Sequence, residues 1–587
     1  MMNLQTKKCL KYVLMVILFA GISCTSPKDH DLVIANVNLI DVETGRVLPH
    51  QFIAIDADTI AAIYTEGPEF TANTKIVDGS DKYLIPGLWD MHVHHNWNYK
   101  DTNPLLIANG IVGVREMWGN MYVHDKIEKG IENGTMDVPE VYTGSIIIDG
   151  TPQVWPGSIE VANAEEAREV ALEQIESGVD FLKVYSNLSK ESFDAIADVA
   201  NEKGIPFAGH VPESVTIQYA AKKGMVSAEH FYGMSYGSSA HLDSLHTAGA
   251  KEGDILPLLL DSFSQEQFDA TCKVLVEEEL WLSPTLVTNR GYAYRTDPTF
   301  VKDERLKYMA DYMLGGWFPD TTKLNNPEAK SWIESIQREY NFWRMRVGEM
   351  QKKGVRFIAG SDYPNPFCFP GFSLHDEIEL FVEGGMSPLA ALQTATLNPA
   401  IFMEKEAEYG TIATGKKASL VLLEKNPLEE IGNTRTINAV ILRGKPFMKA
   451  DLEAMLEAVL TRKETPSFGT WLRGSIEQNG IEVAMDSLDL LLALKEPPYR
   501  LEEMDLNYLG YQLMDKENLE NAIRVLHKNT LLFPEEFNVY DSYGEVLLMD
   551  GQLEKAKENY KKAIEINPYY PNAQVMIDSI NAMMKSN

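Results

Sequence analysis

The chain has 587 residues, more than one hydrophobic core usually holds, so at least two domains are expected. Apolar residues make up 45% and charged residues 24%, the balance of a folded protein rather than a disordered one. A formal net charge of -32, from 85 acidic against 53 basic residues, repels phosphate backbones and anionic headgroups, which argues against nucleic-acid binding and for solubility.

The first elements in chain order form a targeting segment. Lys7, Lys8 and Lys11 make a basic start, and Tyr12 to Ile22 is an apolar run about half as long as a membrane-spanning helix. It ends in Gly21-Ile22-Ser23-Cys24, which resembles a bacterial lipobox, with Gly21 where Leu is commoner. Residues 1–23 are thus expected to be a lipoprotein signal peptide, Cys24 the lipidated residue, and 24–30 a short tether. This implies an exported protein held in the bacterial cell envelope by lipid alone, at the outer membrane, facing the periplasm or the surface. An ordinary secretory signal with an incidental cysteine is the competing reading. Cys9 leaves with the signal; Cys272 and Cys368 are read as structural, since their separation neither demands nor excludes a disulfide.

Residues 31–86 read as short strands such as Leu32-Val33-Ile34-Ala35 and Phe52-Ile53-Ala54-Ile55, divided by turn formers like Glu43-Thr44-Gly45. From there strands alternate with amphipathic segments. Apolar strands fall near Leu88–His94, Gly110–Glu116, Glu140–Ile146, Val179–Tyr185, Ile205–His210, Met225–His230, Leu280–Thr285 and Val355–Ser361. That is the count of a (β/α)8 TIM barrel, over 87–408, in an α/β fold. Strands return over 409–448, and pairing with 31–86 would give a small composite β-sandwich.

An all-α helical-repeat domain is expected at 501–587, behind a helical linker or degenerate repeat at 449–500. Gly510, Ala522 and Pro534 recur at Gly544, Ala556 and Pro568, a shift of 34 residues. This pattern resembles the tetratricopeptide (TPR) repeat. Its implied roles are binding of a protein or peptide partner, or self-association.

Six residues carry the chemistry. His92 and His94 end the first barrel strand two apart, so both project to one side. Alone, such a pair is more commonly just two histidines on an exposed strand. Lys183 interrupts the apolar strand Val179–Tyr185. Burial beside cations would leave its amine neutral and able to add carbon dioxide as a carbamate, while a stem that packs and a head that reaches solvent or a carboxylate explains it equally well. His210, His230 and Asp362 each finish a later strand. On a barrel these ends converge on one cavity, which as a set points to a metal site. Tyr185 shares the face of Lys183 and is a candidate substrate contact, as is His375 beyond Asp362. The aromatic-rich stretch Leu286 to Lys330 reads as a lid or as a helical pair outside the barrel.

At this point the chain resembles the amidohydrolase superfamily, in particular its imidazolonepropionase-like and Xaa-Pro dipeptidase-like branch, from about Leu32 to Lys445. The resemblance is carried by Pro86-Gly87-Leu88-Trp89-Asp90-Met91-His92-Val93-His94, Gly209-His210-Val211-Pro212, Glu229-His230, Ala359-Gly360-Ser361-Asp362 and Ala395-Thr396-Leu397-Asn398-Pro399-Ala400. Glu116 stands where members often have Asp. The resemblance implies one or two divalent metal ions, with zinc the default and manganese or iron alternatives. His92, His94 and Asp362 would hold one, His210 and His230 the other, and carboxylated Lys183 would bridge them. Asp362 and His230 are the implied catalytic residues, with Asp362 the general base that takes a proton from water and passes it to the leaving nitrogen. The expected reaction is hydrolysis of a carbon–nitrogen bond in a small substrate such as a dipeptide, an N-acyl amino acid or a cyclic amide. An esterase, lactonase or phosphotriesterase on the same site, and a non-catalytic envelope scaffold acting through the helical tail, are the alternatives.

Overall fold

A computed structural model describes residues 27–97, 99–249, 251–318, 327–516, 518–569 and 571–586. The signal segment and Cys24 lie outside them. The first strand, β1 (Leu32–Asp41), turns at Gly45, whose φ of 73° suits a residue without Cβ, into antiparallel β2 (Arg46–Asp56). β3 (Thr59–Tyr64) extends that edge, while β4 (Lys75–Asp78) and β5 (Tyr83–Pro86) run parallel to β1.

The chain then enters a parallel region. β6 (Leu88–Val93), β7 (Ile111–Glu116) and β8 (Glu140–Thr143) form one parallel sheet. A second contains β9 (Ile148–Asp149), β10 (Ile159–Glu160), β11 (Leu182–Val184), β12 (Phe207–Gly209), β13 (Ser227–Glu229), β14 (Trp281–Ser283) and β15 (Arg356–Phe357). Parallel bridges Gly144–Phe181 and Val93–Tyr363 join the two sheets at both ends. Strands β6, β7, β8 and β11 to β15 therefore each have a neighbour on either side. Their residues are mostly buried because both faces are covered, one by helices whose first turns are capped by Asn163, Ser189 and Thr216. Phe193, Ile196, Phe207 and Leu182 meet in that core.

The last strands, β16 (Leu420–Leu423), β17 (Ile437–Leu442) and β18 (Lys445–Met448), rejoin the first sheet. β16 lies antiparallel to β5, with Leu84 opposite Leu422, so strands from before and after the parallel region share one eight-stranded sheet.

Among the described residues eight helices follow, from Lys449–Glu464 to Pro571–Ser586. Helices starting at Glu503 and Leu519 are repeated by helices starting at Phe537 and Leu553. Gly510 lets the first pair close: a Cβ there would stand 2.5 Å from the Leu526 side chain. Helices Phe468–Asn479 and Ile481–Leu492 contribute Phe468, Leu472, Ala484 and Leu488 to the same apolar cluster. The tail is tied back by Tyr122, which donates to the Glu535 carbonyl at 2.8 Å, and by a Lys126–Glu536 ion pair. Cys272 and Cys368 are buried free thiols. Among the described residues no helix is long and apolar enough to cross a membrane.

Candidate active site

The end of β6 places His92 and His94 on one side of the strand, and both Nε2 atoms point at Asp362. Oδ1 of Asp362 lies 3.4 Å from His92 and 3.1 Å from His94. The turn after β15 brings the carboxylate there: the Asp362 amide donates to the His92 carbonyl at 2.6 Å, and its φ of 54° folds the chain back. Gly360 makes room, since a Cβ on it would stand 2.5 Å from that of His92. His210 follows β12 and His230 follows β13. The His230 ring lies 4.7 Å from that of His92 and 5.0 Å from that of His210.

Three of the four rings are fixed by their other nitrogen. His92 Nδ1 donates to Glu229 at 2.7 Å; His210 Nδ1 pairs with the Ser186 hydroxyl at 2.8 Å, and His230 Nδ1 with that of Thr285 at 2.5 Å. Such partners hold ring orientation and tautomer, the arrangement metal-ligating histidines adopt. Glu229 is itself held by Arg115, wholly buried, at 2.9 Å. Glu116 accepts the amides of Asn96 and Trp118, both at 2.9 Å, and thereby fixes the loop after β6. It stands 3.9 Å from His94 Nδ1, beyond hydrogen-bond reach.

Lys183, in the middle of β11, is buried, and Gly209 leaves space for it: a Cβ there would be 3.0 Å from Lys183 Cδ. No carboxylate is within ion-pair distance of its amine among the described residues. Burial pushes it down to about 8, with Glu229 pulling the other way and Arg115 adding to the fall. Burial also drives His92 and His210 far below the usual imidazole value, and His230 below it, so these rings are neutral at pH 7. Burial alone would raise Asp362; His92, His230 and His94 outweigh it and hold the carboxyl below its ordinary range.

These donors fit a divalent cation. The ligand atoms of His92, His94 and Asp362 lie within 4.8 Å of one another, and Asp362 Oδ1 is buried without a hydrogen-bond donor. Neutral imidazoles with a carboxylate are the set zinc prefers. All six sequence-predicted donors line one cavity of about 670 Å³.

Tyr185 lines it too; its ring stacks on His210 at 3.8 Å and its hydroxyl accepts the Trp155 indole N–H at 2.7 Å. His375 does not. Its position soon after Asp362 in the chain suggested the cavity mouth, but it sits in the first turn of helix Phe372–Glu383 with no exposed surface. Both ring nitrogens are engaged, by Thr434 Oγ1 and the Asn109 carbonyl, each at 2.9 Å. It is a packing residue. From the aromatic-rich stretch, helix Leu286–Tyr294 contributes Tyr292 to the cavity, while Trp317 packs on Phe367 and Phe369 away from it.

The sequence pattern missed Glu229, Arg115, Ser186 and Thr285. Arg115 was the available signal: an arginine within a strand of six buried residues requires a buried carboxylate.

Comparison with known proteins agrees with this geometry. The amidohydrolase family model matches residues 343–447. Ochratoxinase of Aspergillus niger is 24% identical over 399 residues, covering 59% of this chain and 71% of its own. Among solved structures, a bottromycin amidohydrolase superposes with a TM-score of 0.59 at 21% identity, over 74% of this chain and 90% of its own. A Xaa-Pro dipeptidase does so with a TM-score of 0.54 at 19% identity, over 71% and 99%. The chain therefore has the fold of the amidohydrolases, carries an amidohydrolase-family segment at 343–447, and is an enzyme of that hydrolytic type.

Proposed function

We propose that the chain is a metal-dependent hydrolase that cleaves a carbon–nitrogen bond in a small substrate such as a dipeptide, an N-acyl amino acid or a cyclic amide, on a (β/α)8 barrel. The observation that carries this reading is the convergence of two imidazole Nε2 atoms on Asp362 Oδ1, which has no other polar partner. His92, His94 and Asp362 would hold one divalent cation, and His210 and His230 a second. Lys183, shifted towards its neutral amine, would add carbon dioxide with loss of a proton and so supply a carbamate to the set. A bound cation supplies Lewis acidity, lowering the pKa of water and polarising a carbonyl.

The protein's own groups do the rest. Asp362 accepts the proton of the attacking water and delivers it to the leaving nitrogen. Thr285, Ser186 and Glu229 keep the imidazoles aimed while charge shifts at the reacting centre. A cavity of about 670 Å³ suits a dipeptide-sized ligand. The matched Xaa-Pro dipeptidase and bottromycin amidohydrolase, both named for this class of bond, support the same choice.

The test uses purified chain lacking residues 1–24. It should hold one or two divalent metals, lose them on His92→Asn, and hydrolyse members of a panel of dipeptides and N-acyl amino acids in preference to lactones and aryl esters. Absence of metal, with no hydrolysis after zinc is added, sinks the proposal. As placement, lipidation of Cys24 would tether the enzyme in the cell envelope, with the 34-residue helical repeats acting as TPR-like units for a protein partner or a second copy. Labelled fatty acid lost from Cys24→Ser, and light scattering of a chain without 501–587, read those two points.

A further inference from the structure

Two carboxylates line the same cavity and take no part in the chemistry above: Glu252 and Glu339. Glu252, in the first turn of helix Glu252–Asp261, accepts the amides of Gly233 at 2.9 Å and Tyr236 at 3.2 Å. Glu339, on helix Pro327–Arg344, accepts the Ser235 hydroxyl at 3.0 Å, and Ser235 accepts the Trp343 indole N–H at 2.9 Å. Both side chains are thus fixed on the turn 233–236, just beyond His230. Tyr232, whose ring stands 4.4 Å from that of His210, is within electrostatic reach of both.

No Lys, Arg or His faces either carboxylate among the described residues. Burial pushes Glu252 up to about 8, with Glu339 next in effect, and pushes Glu339 up to about 7. Glutamine could accept the same hydrogen bonds without bringing charge into a cavity, where an uncompensated carboxylate is costly. The same cavity holds the buried Asp362 carboxylate with the Nε2 atoms of His92 and His94 aimed at it, so the two glutamates share one space with the reacting centre. Tyr292 adds an aromatic face to the lining, and such faces attract cations, as Trp332 does with Arg295, 5.9 Å from its ring centre.

We infer that Glu252 and Glu339 form a subsite for a positively charged substrate group, so that the enzyme's substrates are amides of basic amino acids, ending in an ammonium or guanidinium. The kinetic arm of the test rests on the hydrolase reading; the binding arm does not.

Citrulline is the neutral match of arginine in shape. N-acetyl-arginine against N-acetyl-citrulline, and Arg-Ala against citrulline-Ala, therefore isolate the charge without altering the protein. The arginine member of at least one pair should be cleaved with kcat/KM roughly tenfold higher or more, mostly through KM, the usual weight of a charge-assisted hydrogen bond. The double variant Glu252→Gln, Glu339→Gln should bring that ratio close to one. Equal cleavage of both members in both pairs, or a double variant that keeps the preference, overturns the subsite. If nothing is cleaved, calorimetric titration with L-arginine and L-citrulline decides. Arginine binding roughly tenfold tighter, and lost in the double variant, sustains the subsite even as the hydrolase reading fails. Arginine that binds no better than citrulline overturns it.

Discussion

The floor and the wall of the cavity face the same space with opposite demands on their protons. On the floor, burial strips the proton from His92, His210 and His230, which frees lone pairs for a cation, and pulls Lys183 down to about 8, towards its neutral amine. On the wall, the same burial returns protons to Glu252 and Glu339 and so stores a preference for a ligand that brings its own positive charge. One physical cause, the cost of charge where water is partly excluded, prepares bases in one place and suppresses them in the other. Which outcome a residue meets depends on the sign of its charged form.

The largest effect should come from the floor. Asp362→Asn removes the proton acceptor while keeping its shape, and kcat should fall by roughly a thousandfold with melting little changed, read by steady-state assay and calorimetry. A fall under tenfold would give the base role to another residue. Glu229→Gln comes next. It leaves the Arg115 charge buried without its partner, and denaturant titration should show about 3 kcal/mol of stability lost. Smaller again are Thr285→Val and Ser186→Ala, which free one imidazole each. Either should weaken metal binding by roughly tenfold in competition with a chelator, and unchanged affinity would mean that packing alone aims the rings.

The smallest effect sharpens the contrast with the wall. Folding raises Glu252 and Glu339 above the ordinary glutamate value, so their contribution to stability is present at low pH and is lost as pH rises towards about 8 and about 7. Replacing both with Gln should raise Tm by on the order of 2 °C at pH 9 and leave it unchanged at pH 4. Equal melting of parent and variant at both pH values would show that the two carboxylates carry no such penalty.

The same contrast explains what was legible in the chain beforehand. Floor donors announce themselves because five finish apolar strands and Lys183 interrupts one, and strand ends of a parallel array meet by construction. His92, His94, Lys183, His210, His230 and Asp362 all come together in that way. Glu252 and Glu339 sit on helices whose paths no periodicity reports, 87 residues apart in the sequence, so nothing local marks them as neighbours. His375 misled for a related reason. Nearness along the chain to Asp362 says little once a helix intervenes and turns the side chain towards Asn109 and Thr434. Nor could strand pattern alone reveal that β5 would find β16.

That last pairing has a consequence for biosynthesis. Strand β5 must wait for more than three hundred intervening residues before β16 is made, and until then its edge is an open template for any passing strand. A nascent copy halted inside the parallel region would therefore expose a sticky flank, and chaperones would be needed there first.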